Sequence, residues 1–302
     1  MRVTDQMEFA LATQYDDQAQ SAVEQATETA SSGLRVVHAW DDPTAAGLLA
    51  QNQVTQARLS GIGATASQAV DQLNAASGAL TTITNTLTSA SELALQMSDS
   101  SYSATQRASA GAQIDEYLQQ IVSALNTQVG DAYVFGGDQT GSAPFDSSGN
   151  YSGDAGVRQV EIAPGVTVPA SVNTEAAILG TGVSGGVNIL TTLQNLANAL
   201  DSNDTAGIQS AIDPLNQGAT QVSSAQAGIG DSQDALNTAL TANQAALTAA
   251  QTQASSLGDA DMIQAATNLA QAQQALQASL EATSQSFQMT LLNYLSTSTS
   301  TT

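Results

Sequence analysis

The sequence predicts a mainly α-helical protein: a long helical bundle or coiled coil formed by the N- and C-terminal helices, with a small β-rich insertion in the middle. Near both ends, apolar residues recur at spacings of three and four, the pattern of helices that pack along a seam. Between residues 133 and 186, short apolar runs alternate with Gly, Asn, Asp and Pro, which favours short strands and turns.

The charge balance argues against whole classes of partner. The 302 residues include 27 Asp and Glu but only five Arg and no Lys, so the net charge is -22. Binding to nucleic acid or to an anionic membrane depends on basic side chains, so neither is expected. The chain has no cysteine, which rules out disulfides and thiolate metal sites.

No targeting segment is evident. The start lacks the continuous apolar run of a secretory signal, and no window approaches the length of a membrane span. Taken alone, this predicts a cytoplasmic protein, and it also fits export through a route that reads an uncleaved N-terminus.

The first thirty residues carry a loose helical stripe with spacings of three and four: Val3, Met7, Leu11, Tyr15, Ala19, Ala22, Ala26 and Ala30. Ser31, Ser32 and Gly33 end this helix. A connecting segment follows over residues 34–43. A second helix then begins at Pro43 and Thr44, where Asp42 is placed to cap its positive end.

The clearest periodicity lies in the second helix. Its apolar residues form a heptad seam: Ala69, Leu73, Ala76, Leu80, Ile83, Leu87, Ala90, Ala94 and Met97. Asp99, Ser100 and Ser101 break the pattern. A further helix is expected from about Ala104, and its apolar residues fall on one face: Ile114, Leu118, Ile121, Val122 and Leu125.

The helical periodicity of apolar residues ends at about Ala132. Residues 133–137 and 157–162 are predicted as strands, and helical periodicity returns at Val187. A long helix is expected over residues 206–256, with Gly228 and Gly230 as candidate positions for a kink. After Gly258 the last helix carries a seam: Met262, Ala266, Leu269, Leu276, Leu280, Thr283 and Phe287.

These elements predict three domains. Residues 1–40 with 258–302 form a terminal coiled coil, residues 41–132 with 187–257 form a helical domain, and residues 133–186 form the β-rich outer insertion. The terminal stripes are too narrow and Ala-rich to bury themselves alone, so neighbouring copies are expected to complete them. The predicted assembly seam is Val3, Met7, Leu11, Tyr15, Met262, Leu269, Leu276, Leu280, Phe287, Leu291, Leu292 and Leu295.

Residues 180–185 spell GxGxxG ahead of a helical pattern, the spacing of a dinucleotide-binding turn. No βαβ series surrounds it to build the parallel sheet that such a site needs, and Asp201 follows somewhat early for the ribose contact. A return loop from the insertion is the better interpretation. A dinucleotide-dependent enzyme is kept as a remote alternative.

Other candidate sites are equally sparse. His38 is the only histidine, so an imidazole metal site or a Ser–His pair lacks its second member, and an exposed loop residue is expected. Asp146, Asn150 and Asp154 lack the order of a calcium loop and are expected in a hairpin or loop. No catalytic, cofactor-binding or metal-binding residue is therefore predicted.

Short motifs at both ends are similar to one family. Residues 31–36 (SSGLRV) and 41–46 (DDPTAA) resemble a segment shared by flagellins and hook-associated proteins, with Gly33, Arg35, Asp41, Asp42 and Pro43 as the matching motif residues. The start, MRVT, the stretch YVFGGDQT with the later APF, and the endings QALQAS and LLNYL resemble the hook-filament junction proteins, hook-associated protein 3. The seven residues after Leu295 and the absence of lysine depart from that pattern.

The resemblance implies a structural, non-enzymatic protein that needs no cofactor. It implies paired terminal helices in an inner layer and export through the flagellar secretion channel without a cleaved signal peptide. A ring of copies would then join the hook, by way of the first hook-associated protein, to flagellin on the filament side, with help from a flagellar export chaperone. A flagellin-type filament subunit is the alternative within the same family.

Overall fold

A computed structural model describes residues 2–163 and 165–298 and confirms the predicted architecture of long helices with a few short strands between them. Its six α-helices are α1 (Arg2–Ser32), α2 (Pro43–Met97), α3 (Ala104–Leu125), α4 (Ile189–Asp201), α5 (Thr205–Gly258) and α6 (Met262–Ser298). Four short strands and one π-helix lie between α3 and α4. Among the described residues, no helix combines the length and apolar content needed to cross a bilayer.

The helix ends follow local capping chemistry. Gly33 ends α1 with a positive φ of 70°, a conformation that glycine adopts without strain. Asp42 caps α2, because its Oδ1 accepts a hydrogen bond from the Ala45 amide (3.0 Å). Ser103 and Gln106 form a reciprocal capping box at the start of α3.

The strands form two separate antiparallel ribbons. The first pairs β1 (Gln128–Val129) with β2 (Ala132–Tyr133), and the second pairs β3 (Gln159–Ala163) with β4 (Val166–Pro169). The strand predicted over residues 133–137 is therefore wrong beyond Tyr133. Val134 and Phe135 lie in a turn and are almost fully buried, so their apolar character reflects core packing and not strand pairing.

Contacts divide the chain into two compact units, Met1–Ala57 with Leu247–Thr302, and Arg58–Ala246. The division into three domains remains a prediction about which parts fold independently. Within the second unit, Phe135, Phe145, Val168 and Ile178 of the predicted insertion share one hydrophobic core with the helices. The β-rich segment thus contributes both of its phenylalanines to the helical core.

The second unit has the more fully buried core. Every residue of the predicted seam over residues 69–97 is buried, and α3 packs against α4. On α5 the buried apolar residues larger than alanine recur at intervals of seven: Ile208, Leu215, Val222, Ile229 and Leu236. α5 continues through both candidate kink positions, Gly228 and Gly230.

Arg107 is the buried cation of this unit. Its guanidinium donates to the backbone carbonyls of Met97 (2.8 Å) and Asp99 (2.8 Å) and to the Asn203 side chain (2.6 Å). These acceptors stabilise a buried charge and at the same time satisfy carbonyls at the C-terminal end of α2.

Candidate assembly surface and the elbow motif

The connection between α1 and α2 folds back onto the connection between α5 and α6, and we call this junction, residues 33–42 with 257–261, the elbow. The Arg35 amide donates to the Gly258 carbonyl (2.7 Å), and the Ala260 amide donates to the Gly33 carbonyl (2.8 Å). The Arg35 guanidinium donates to the Leu257 carbonyl (2.6 Å) and forms an ion pair with Asp42 (3.1 Å). Arg35 therefore joins the two connections.

The two aspartates of the predicted family motif have separate tasks in the elbow. The Asp41 carboxylate accepts from the amides of Val37 (3.1 Å) and His38 (2.8 Å), which closes the turn before α2. Asp42 caps α2, and the Ala45 amide followed by the Arg35 side chain lowers the pKa of its carboxyl below the ordinary value of 3.8. The motif residues thus build the elbow and contain no catalytic arrangement.

α1 and α6 pack against each other, and the contact includes only part of the predicted stripes. On α1 the half-buried seam residues are Ala12, Asp16, Ala19, Val23, Ala26 and Ala30, and on α6 the inward-facing residues are Ala265, Leu269, Ala272, Leu276, Ser279 and Thr283. Leu269 and Leu276 of the predicted assembly seam lie in this contact. Small residues dominate it, which allows the two helices to approach closely.

Most large apolar residues of the predicted assembly seam lie outside that contact and are exposed. Met7 is 62% and Tyr15 60% exposed, and Leu11, Met262 and Leu280 are also exposed, as is Phe287, although its ring contacts Phe9 of α1. On α1 the large side chains thus form an outer surface, while alanines and Asp16 face α6, and the role of that surface in assembly stays a prediction. The side chains of Val3, Leu291, Leu292 and Leu295 lie outside those that the structure describes.

Sequence reasoning missed the polar and aromatic contacts of this helix pair. The Asp16 carboxylate accepts hydrogen bonds from the hydroxyls of Ser279 and Thr283, and the rings of Phe9 and Phe287 are 5.3 Å apart in a tilted arrangement. Asp16 lies four residues after Ala12 and three before Ala19, the spacing of a seam position. Because it is charged, a search for apolar periodicity does not include it.

The dinucleotide alternative finds no support in the geometry of residues 180–186. A π-helix, Glu175–Leu179, precedes the glycines where a parallel strand is required. Gly180 has a φ of 70°, and an added Cβ would lie 2.4 Å from the Val187 amide nitrogen, so the close turn explains this glycine. The adjoining groove of about 410 Å³ has no Lys or Arg among its described lining residues to bind a pyrophosphate.

The remaining candidate residues hold loops. His38 is half-exposed in the elbow and stacks on Trp40, with ring centroids 4.3 Å apart. Asp146 accepts from the amides of Ser148 and Asn150, and Asp154 accepts from the amides of Asp138 and Gly156. These amide bonds lower the pKa of the Asp154 carboxyl, while the Asn150 side chain is the largest cause of the lowered pKa of Asp146. Within the described part of the chain, no three His, Cys, Asp or Glu side chains are grouped as a metal site requires.

The sequence matches two family models, one at each end of the chain. The bacterial flagellin N-terminal helical region matches residues 3–140, and the bacterial flagellin C-terminal helical region matches residues 212–295. The chain belongs to the flagellin family. The two matches together cover most of the chain and leave out residues 141–211, which contain β3, β4 and α4. A search of curated proteins finds no match.

Solved structures share the fold of this flagellin-family chain. A Vibrio parahaemolyticus protein described as flagellar hook-associated is 19% identical, with 72% of this chain and 100% of that chain covered and a TM-score of 0.65. The hook-associated protein 3 of Legionella pneumophila is 17% identical (68% and 98% covered, TM-score 0.56). The flagellar junction protein FlgL of the same organism is 15% identical (70% and 100% covered, TM-score 0.53).

Proposed function

We propose that this flagellin-family protein is a structural component of the bacterial flagellum that forms the hook-filament junction and adapts the hook to the flagellin filament for motility. The observation that supports this most directly is the combination of flagellin helical regions at both ends with a fold that covers nearly the full length of hook-associated and junction proteins. The role is assembly, without enzymatic chemistry.

The exposed residues of the predicted assembly seam on α1 and α6 are the proposed contact surface, which we call the outer surface: Met7, Leu11, Tyr15, Met262, Leu280 and Phe287. Large apolar side chains left in water favour association, because burying one such side chain contributes about 1.5–3 kcal/mol. Copies stacked head to tail on these surfaces would form a ring. Val3, Leu291, Leu292 and Leu295 are proposed to belong to the same surface.

The proposed partners follow from this position in the flagellum. Copies of the chain would contact each other in the ring, the first hook-associated protein on the hook side and flagellin on the filament side. A flagellar export chaperone would hold the subunit before secretion, and the protein would reach the extracellular flagellum without a cleaved signal peptide. A net charge of -22 argues against nucleic acid and anionic membranes as partners.

Labelling of intact flagella tests the location. An antibody against residues 140–180, viewed by electron microscopy, is expected to give a single band at the boundary between hook and filament. A strain that lacks the gene is the control for antibody specificity. Decoration along the whole filament would instead identify a filament subunit, the alternative that the flagellin family also contains.

Substitution of the outer surface tests the mechanism. Because Met7, Leu11 and Tyr15 are exposed, replacing all three with serine should leave the monomer's helical content unchanged. We expect the variant to be secreted while flagellin is lost to the medium, measured by immunoblotting of culture supernatants and by motility. The matched control is Val54→Ser with Leu95→Ser, two exposed apolar residues on α2, which should retain filaments. Normal filaments on cells with the triple variant would contradict the proposed surface.

A further inference from the structure

The α1–α6 pair is antiparallel and is fixed at both ends of its contact. At one end the elbow joins Gly33 to Ala260, and at the other the Phe9 and Phe287 rings meet. Between them, Asp16 contacts Ser279 and Thr283. At about 1.5 Å per residue, Asp16 lies roughly 25 Å along α1 from Gly33. Its contacts with α6 therefore lie far from the elbow.

Shape alone defines this contact poorly. Six of the twelve seam residues are alanine: Ala12, Ala19, Ala26, Ala30, Ala265 and Ala272. Alanines give a helix surface with few distinguishing features, so one Ala-rich helix fits another nearly as well as its proper partner. Partner choice in such a seam depends on its polar positions.

Asp16 is the charged position of the α1 seam, and hydroxyls satisfy it. It is half-buried, and the same carboxylate oxygen accepts hydrogen bonds from the Ser279 hydroxyl and from the Thr283 hydroxyl (3.3 Å). Among the described residues, Asp16 has no ion-pair partner within 4.0 Å. The two hydroxyls are four residues apart on α6 and therefore lie one turn apart on one face.

We propose that Asp16 is the specificity-determining residue of α1, because its carboxylate accepts as a seam partner only a helix that presents two hydroxyls one turn apart, as α6 does. A carboxylate packed against alanine or leucine loses its hydration without compensation. The α1 seam of a second copy presents Ala12, Ala19 and Val23 around its own Asp16, so α1 is a poor partner for another α1. Asp16 therefore directs α1 to α6, whatever the protein's place in the flagellum.

The cysteine-free chain allows a direct measurement in the full-length protein. In a Phe9→Cys, Phe287→Cys background, the equilibrium of disulfide formation with glutathione gives the effective concentration of the two thiols. That concentration reports how tightly α1 and α6 are held together at this end of their contact. Adding Ser279→Ala and Thr283→Val leaves Asp16 half-buried without its hydroxyls. We expect the effective concentration to fall about tenfold, since a half-buried charge that has lost its hydrogen-bond partners is unfavourable.

Removing the carboxylate as well should reverse the loss. Adding Asp16→Leu to those two substitutions replaces both sides of the contact with apolar groups, and we expect recovery to within about threefold of the parent. The matched control is Thr267→Val with Ser284→Ala, which removes exposed hydroxyls on α6 that bond only to their own helix and should change nothing. The amide exchange rates of residues 9–20, measured in the same variants without the two cysteines, should rank the variants in the same order of contact stability.

The outcomes are distinct. If the two hydroxyls are lost without effect, Asp16 does not select its partner through them, and the proposal is overturned. It is equally overturned if Asp16→Leu fails to restore the pair, or if the control pair causes the same loss. Neither readout depends on location in the flagellum, so a filament-wide antibody pattern would leave this inference intact.

Discussion

Two helical seams in this protein have the same alternating spacing and differ in what fills it. Along residues 69–97 the seam combines alanines with three leucines, an isoleucine and a methionine, and every one of these side chains is buried. Along α1 and α6 half of the seam residues are alanines, nearly all of which remain half-exposed, while Met7, Leu11 and Tyr15 lie outside. Burial of a large apolar side chain contributes about 1.5–3 kcal/mol, and an alanine contributes much less. The same periodicity therefore yields a self-sufficient core in one unit and a contact that needs further partners in the other.

The largest expected difference is in local opening. In the isolated subunit, amides of residues 66–125 should exchange slowly, whereas those of residues 1–30 and 265–298 should exchange faster by a factor of about a thousand or more. Mass-spectrometric hydrogen exchange on the monomer measures both regions at once. Slow exchange at both ends would mean that the alanine seam is sufficient by itself, and the comparison would fail.

The next largest difference is expected in the free energy of unfolding when seam residues are truncated. Ile83 is fully buried, so Ile83→Ala should lower the free energy of unfolding of the second unit by about 2–5 kcal/mol. Leu276→Ala, in the half-buried α6 seam, should leave the main unfolding transition within about 0.5 kcal/mol.

Urea unfolding followed by circular dichroism gives both values. Leu95→Ala, at an exposed position of α2, is the control for the change in helix propensity. Equal losses for Ile83 and Leu276 would show that one cooperative core spans both units.

The smallest expected effect concerns acid. The Ala45 amide, followed by the Arg35 side chain, lowers the pKa of Asp42, so the folded chain binds this proton less tightly than the unfolded chain. The resulting contribution to stability is present above the ordinary value of 3.8 and is lost as the pH falls through the lowered pKa. Asp42→Asn should therefore destabilise the elbow at neutral pH and become nearly indistinguishable from the parent in strong acid.

Amide exchange of the α2 start, measured across that pH range and corrected for intrinsic rates, checks the acid prediction. Asp17→Asn on α1 removes an exposed carboxylate outside the elbow and should follow the parent at every pH. A constant difference between Asp42→Asn and the parent would exclude Asp42 as the titrating group.

Large residues made part of this fold predictable. Leu73, Leu80 and Leu87 mark their seam clearly, and the Ser–Ser–Gly and Asp–Asp–Pro stretches fix the ends of α1 and α2. On α1 the same reasoning placed Met7, Leu11 and Tyr15 in one stripe with Ala19, Ala26 and Ala30, because size is the strongest signal in a sequence pattern. A seam of alanines with one aspartate gives only a weak pattern of large apolar residues. The hydroxyls that bind Asp16 also lie more than 260 residues away along the chain.

The turn at Val134 and Phe135 was hidden for a related reason. Two consecutive apolar residues next to Tyr133 have the local character of a strand, and only contacts with distant helices bury them in a turn. The elbow residues were predicted from a resemblance, but the bonds of Arg35 to Leu257 and Gly258 join positions more than 220 residues apart. Such pairings depend on the folded arrangement of the whole chain.

The stacking of Trp40 on His38 has a practical consequence. Trp40 is the single tryptophan of the chain and is 75% exposed, so all indole emission originates at the elbow. Its fluorescence is therefore an intrinsic optical probe of that junction, without any attached dye. When a neighbouring molecule covers the elbow, water around the indole is displaced and the emission should move to shorter wavelength. Docking at this one point is then observable in real time during reconstitution with purified partners.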